Sequence, residues 1–173
     1  NSKNAFKLAA DLNTYNEERK ILETQLLNKI LNTDSANITD PVVVLYGENW
    51  HEGIIGIIAA RVKEKFNKAT IVISVNDGVG KGSGRSIHGF DMGSTIIGAV
   101  QSGLLIKGGG HKMAAGFTID MNKINDFKDF IFRKFKSINI NLEEKKNYYF
   151  DAEIAPSAVN IDFFEKINLL APF

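Results

Sequence analysis

A continuous apolar run, Val42-Val43-Val44-Leu45-Tyr46, and a second, mainly apolar run, Thr70 to Val75, bracket an amphipathic stretch. Each run is rich in β-branched residues and lacks polar alternation, the pattern of a strand buried on both faces. Between them Ile54, Ile58, Val62 and Phe66 recur every fourth residue. They line one face of a helix over 54–66, and Gly56 and Ala60 leave room for close packing. Pro41 blocks helix on the N-terminal side of the first run, and Gly47 to Gly53 makes the turn into the helix. A strand–helix–strand unit of this kind predicts a parallel pair joined by a right-handed crossover, and so an α/β domain.

The remaining segments extend that sheet. Asn76-Asp77-Gly78 is a hairpin-type turn. It leads into Val79 to Ile87, a glycine-rich third strand expected to run antiparallel to the second. Met92 to Val100 reads as a short helix, followed by Gly108-Gly109-Gly110 and a small-residue helix at His111 to Ala115. Phe117 to Ile119 returns as a strand, and Ile124 to Phe135 is an amphipathic helix with Phe127, Ile131 and Phe135 on one face.

The flanks read differently. Residues 4–31 form one long predicted helix, with Leu8, Leu12, Tyr15, Leu22, Leu26 and Ile30 on a stripe that Asn13, Asn16, Glu17 and Glu18 interrupt. That pattern suits an inter-domain connector over 1–33 and a core helix equally. The main domain is expected over 40–137, and the polar 138–147 as a linker. A strand at Tyr148 to Ile154 and a helix around Asp162 to Leu169 cannot close a core alone, so 147–173 is expected to begin a further domain. The missing initial Met and the stop at Ala171-Pro172-Phe173 read as cuts through a longer protein.

A formal net charge of +1 gives no global basic field, so any anion site must be local. The absence of cysteine excludes disulfides, thiolate metal sites and a thiol nucleophile, and suits a reducing cytoplasm. The longest apolar stretch, Ile54 to Val62, is far too short to span a bilayer, and no signal-peptide pattern opens the chain.

Three segments carry candidate chemistry. In Lys81-Gly82-Ser83-Gly84-Arg85-Ser86, strand alternation projects Lys81, Ser83 and Arg85 to one face. Arg binds phosphate bidentately and Ser adds a hydroxyl, while the glycines leave the other face bare for close approach of a backbone or ligand. The alternative is an edge hairpin with a solvated cationic face. Gly108-Gly109-Gly110-His111 before a helix offers free N–H groups and a helix dipole, with His111 placed to donate to a phosphate oxygen. A lone His in a turn is more often structural. Trp50-His51-Glu52-Gly53 opens the 54–66 helix; Trp50 suits a core anchor better than a base-stacking platform, and His51 stays open between roles. No His/Asp/Glu cluster has divalent-metal spacing, and there is no Walker A loop, nucleophile elbow or dinucleotide fingerprint. The chain is equipped to hold a phosphate rather than to cleave one.

In this order the segments resemble one family. Gly47-Glu48-Asn49-Trp50-His51-Glu52-Gly53-Ile54-Ile55-Gly56-Ile57-Ile58-Ala59-Ala60-Arg61 resembles the Trp-His stretch of RecJ exonucleases, and Gly82-Ser83-Gly84-Arg85-Ser86 their Gly-Arg-Ser motif. Gly109-Gly110-His111 through Ala114-Ala115-Gly116 resembles the Gly-Gly-His motif of the DHHA1 domain. Leu12-Asn13, Asn16 and Arg19 are similar to the helix joining the two main domains of that family. The resemblance implies a DHHA1-like mixed sheet flanked by helices, preceded by a connecting helix and followed by the start of an oligonucleotide-binding (OB) domain at 147–173. It implies a metal-dependent exonuclease degrading single-stranded DNA from the 5′ end in recombination and repair. Its Mn²⁺- or Mg²⁺-binding DHH domain would lie upstream, so this chain alone is expected to be inactive and to bind no metal. By the same resemblance Ser83 and Arg85 would grip the 5′ phosphate, and His111 would contact a phosphate near the scissile bond. Lys81, Ser86, Gly109, Gly110, Trp50 and His51 complete the candidate site. Single-stranded DNA and other recombination and repair proteins are the implied partners, with no membrane. The competing readings are a DHH/DHHA1 phosphodiesterase of short oligoribonucleotides or cyclic dinucleotides, and a non-catalytic nucleic-acid-binding module.

Overall fold

The computed structural model describes residues 2–31, 39–138 and 150–171, in two units, Asn1–Ile140 and Asn141–Phe173. In the first unit β1 (Val43–Glu48) and β2 (Thr70–Asn76) pair in parallel. They are joined by α2 (Ile55–Phe66) after the long α1 (Ser2–Leu31). β2 turns back into β3 (Val79–Arg85) through Asp77 and Gly78, whose φ values of 50° and 77° fit a tight hairpin that matches strand twist. Then come α3 (Met92–Gln101), β4 (Lys107–His111), β5 (Ala114–Asp120) and α4 (Ile124–Ser137). The sheet order among the described residues is β1-β2-β3-β5-β4, antiparallel from β2 onward.

Both apolar runs are largely buried as strands, except that Tyr46 at the end of the first is exposed. β2 is buried from Thr70 to Val75 because helices cover both of its faces. Ile71, Ile73 and Val75 pack with α3 and α4, where Phe117 and Phe127 stand 4.9 Å apart and Phe90 and Phe135 5.2 Å apart. Val72 joins Val43 and Leu45 against Ile55, Ile58, Ala59 and Val62 of α2. α2 ends at Asn67, whose left-handed φ of 50° is tolerated by an amide side chain able to bond locally. Asp91 caps α3 by accepting from the Ser94 N–H at 2.9 Å.

The stripe on α1 is split. Leu26 and Ile30 are buried with α2 and β1, whereas Leu8, Leu12 and Tyr15 are exposed. Glu23 fixes the junction, accepting from Arg19 at 3.2 Å and from Arg61 of α2 at 3.1 Å.

Three expectations are corrected. No helix runs from His111 to Ala115; that segment is the β4–β5 hairpin, with Lys112 and Met113 at its tip. Ala114, Ala115 and Gly116 are small because they sit in strand register with Arg85, Gly84 and Ser83, and Ala115, Phe117 and Ile119 alternate into the core. The glycines of β3 do not leave a bare face. A Cβ on Gly82 would strike the Phe117 ring, one on Gly84 the Met92 side chain, and one on Gly80 Ile73 and Ile119. In the second unit Phe150 to Ile154 form no strand, since a strand exists only through ladder bonds and none reaches them among the described residues; Tyr148 and Tyr149 lie outside those residues. The expected helix is present as α5 (Ile161–Asn168), with Asn160 accepting from the Phe163 N–H at 2.9 Å. None of the described residues of this unit is buried.

Candidate nucleic-acid interface

Antiparallel partners share a face of a sheet, so the register reads off rows of side chains across the strands. One row runs His111–Ala114–Arg85–Thr70, the next Gly109–Gly116–Ser83–Val72, and the third Lys107–Thr118–Lys81–Ser74. Over β2 this face is covered by α2, which packs on Val72. Over β5 and β4 it is open: a Cβ on Gly109 would meet nothing within 4 Å, and one on Gly116 only the Gly82 carbonyl at 3.8 Å. The result is a glycine-floored strip of sheet bounded on one side by α2. Lys81, Ser83 and Arg85 stand along the boundary, co-facial as strand alternation requires.

Arg85 is half-buried and held in place. Its Nη1 donates to Ser83 Oγ at 3.1 Å and to the Gly84 carbonyl at 2.9 Å. Among the described residues no carboxylate pairs with it. A guanidinium oriented by neutral acceptors keeps its charge and spare donors for an anion.

Lys81 differs, because Glu52 at the entry to α2 takes its ammonium at 2.7 Å. The hydrogen bond from Lys81 is the main reason the Glu52 carboxyl lies below the ordinary carboxylate range. Desolvation opposes it as the next largest influence, and Lys81's charge, the Asn76 amide at 3.5 Å and His51 add smaller effects in the lowering direction. The loop carrying Glu52 is anchored on β2, where Ser74 Oγ donates to the Trp50 carbonyl at 2.5 Å and Asn49 N–H to the Val75 carbonyl at 3.1 Å. Trp50 packs with the α2 core and lies on Gly47, where a Cβ would meet its indole; this is the anchoring role favoured by its composition. His51 is exposed, its Nδ1 accepting from the Gly53 N–H at 3.1 Å.

His111 ends β4, exposed, two strands from Arg85 in the same row, or about 10 Å between backbones. Its hairpin is fixed by Ser86 N–H to the Met113 carbonyl at 2.9 Å and Met92 N–H to the Lys112 carbonyl at 3.0 Å. With no helix following the glycines, the helix-dipole argument for anion binding there falls away, and Gly109 and Gly110 contribute as edge strand instead. Ser86 is not brought to the strip: it is 1% exposed and its hydroxyl donates to the Phe90 carbonyl at 2.5 Å. Sequence reasoning missed Lys107 and Thr118, which enter the rows only through strand pairing, and the part of Glu52, which reaches Lys81 only through the fold. Among the described residues no three His, Asp or Glu side chains are grouped to hold a metal ion, so the Mn²⁺ or Mg²⁺ implied by the family has no fitting ligand set there. No helix of the described residues is long and apolar enough to cross a membrane.

Residues 39–137 match the DHHA1 domain family. The chain is 33% identical over 132 residues to the single-stranded-DNA-specific exonuclease RecJ of Dickeya dadantii, covering 72% of this chain and 23% of that protein. It is 24% identical over 176 residues to RecJ of Bacillus subtilis, covering 98% and 22%. The crystal structure of RecJ in complex with Mn²⁺ from Thermus thermophilus superposes with a TM-score of 0.77 at 26% identity, covering 95% of this chain and 24% of that one. The chain thus spans about a quarter of the length of the relatives it matches. The matched span contains the five-stranded sheet, the glycine-floored strip and the helix that bounds it, and on these grounds the chain belongs to the DHHA1 domain family, in the form carried by RecJ proteins.

Proposed function

We propose that this chain is the substrate-binding portion of a single-strand-specific 5′→3′ DNA exonuclease acting in recombination and repair in the cytoplasm. Arg85 and Ser83 hold the terminal 5′ phosphate, with Lys81 beside them on the same strand. The strand then crosses the glycine floor toward His111, which contacts a phosphate nearer the scissile bond and stabilises charge there. Hydrolysis belongs to a Mn²⁺- or Mg²⁺-dependent DHH domain upstream, and the second unit begins an OB-like domain.

One observation carries this reading. Arg85 is half-buried, oriented by Ser83 and the Gly84 carbonyl, and without a carboxylate partner among the described residues, at the edge of a strip where a backbone can approach closely. A structural arginine in that position would be expected to hold a carboxylate.

The test is a fluorescence-anisotropy titration of the full chain with one short DNA strand, 5′-phosphorylated or 5′-hydroxyl. The phosphorylated strand should bind more tightly, and Arg85→Ala should remove that preference at a cost of about tenfold or more in affinity. An equal loss for both strands would sink the end-recognition role and leave general electrostatic binding.

A further inference from the structure

The glycines of the first unit differ in what a side chain would meet. At Gly80, Gly82, Gly84 and Gly108 an added Cβ runs into core side chains. Gly56, in the first turn of α2, is different. Its nearest neighbours would be Arg85 Nη2 at 3.0 Å, Ser83 Oγ at 3.2 Å and Arg85 Cζ at 3.8 Å, and all three belong to the pair assigned above to the terminal phosphate. Its φ is not positive, so the backbone asks for no glycine there. Helix propensity favours almost any other residue over glycine. Neither backbone conformation nor core packing accounts for a glycine at this point; the seat of the guanidinium does.

We infer that Gly56 is a positioning residue for the phosphate grip. The bare first turn of α2 sets where the Arg85 guanidinium stands and, through it, the discrimination between a terminal phosphate and a terminal hydroxyl. The inference rests on the reading of Arg85 as the phosphate ligand and adds the element that aims it. A methyl group at 3.0 Å from a guanidinium nitrogen is closer than ordinary van der Waals contact, and the guanidinium is the free end of a flexible side chain. It would yield by a few tenths of an ångström while the helix stayed in place. Bidentate recognition of a phosphate depends on that geometry.

Gly56→Ala tests this, with Gly98→Ala in α3 as the matched helix control; a Cβ at Gly98 has only an ordinary contact, with Phe130 at 3.7 Å. Both variants, Arg85→Ala and the wild type are titrated as full chains with the 5′-phosphorylated and 5′-hydroxyl strands, and their melting temperatures are measured. The expected result for Gly56→Ala is about tenfold weaker binding of the phosphorylated strand, little change for the hydroxyl strand and no fall in melting temperature. Gly98→Ala should keep the wild-type ratio. A ratio lost in Arg85→Ala but kept in Gly56→Ala overturns the inference alone. So does a ratio lost in Gly56→Ala together with a lowered melting temperature, which would make the glycine a packing residue. A wild-type chain without preference, or a preference that survives Arg85→Ala, overturns the grip and the inference together.

Discussion

The two faces of β3 put the same glycine-rich sequence to opposite uses. On the face toward α3 and α4, Gly80, Gly82 and Gly84 are buried, and their missing side chains are replaced by Ile73, Ile119, Phe117 and Met92 reaching in from neighbouring elements. On the other face Lys81, Ser83 and Arg85 border a strip of sheet whose glycines, Gly109 and Gly116, have open space above them. Glycine therefore marks a tight fit on one side and room for a ligand on the other. The alternation that makes β3 look like a phosphate-binding ribbon is half explained by the core. Its polar half is held steady by a closely packed wall on its back.

That contrast can be broken in order of expected effect. Gly82→Val should destabilise the fold by about 3 kcal/mol, because the Phe117 ring has nowhere to go in a packed core. A wild-type midpoint in denaturant unfolding would show that the core face has slack. The next pair compares two serines three positions apart. Ser86→Ala strips a buried hydrogen bond from the Phe90 carbonyl and should cost about 1–3 kcal/mol of stability while leaving DNA affinity unchanged. Ser83→Ala should do the reverse, holding stability within about 0.5 kcal/mol and weakening the phosphorylated strand by about threefold. Matching outcomes for the two would dissolve the distinction between the faces.

The smallest effect concerns Glu52. Its carboxylate occupies the Lys81 ammonium, so Glu52→Gln should tighten DNA binding by about threefold and steepen the salt dependence by up to about 0.7 in logarithmic slope. Because Lys81 holds the Glu52 carboxyl below its ordinary range, the pair is intact above the unfolded carboxylate value and is lost as pH falls through the lowered one. Both residues are well exposed, so little stability should be lost there. Titrations repeated across that window should bring wild type and Glu52→Gln together; a constant difference would mean that Glu52 acts by something other than its charge.

Much of the fold was legible because its patterns are periodic. The run at 70–75 and the Phe127, Ile131, Phe135 face of α4 bury what their spacing predicts; the run at 42–46 largely does so, except for the exposed Tyr46, and the α2 face does so except for the half-buried Phe66. The β4–β5 hairpin was misread because three glycines and two alanines carry almost no periodic signal, and small residues before Phe117 look the same whether they pack a helix or a strand. The period-two alternation of Ala115, Phe117 and Ile119 was the available clue. In the site, the co-facial Lys81, Ser83 and Arg85 followed from the strand period alone.

Local order in this chain, including which side chains share a face and which segments must be buried, is written in spacings of two and four residues, since backbone geometry repeats on that scale. Partnerships are not. Glu52 meets Lys81 across 29 residues and Glu23 meets Arg61 across 38, and Gly56 lies against Arg85 only because α2 crosses back over the sheet. Residue type and spacing made Arg85 a phosphate ligand in prospect. The packing of one helix against one strand decided where its guanidinium stands, because a flexible side chain takes its final position from what surrounds it.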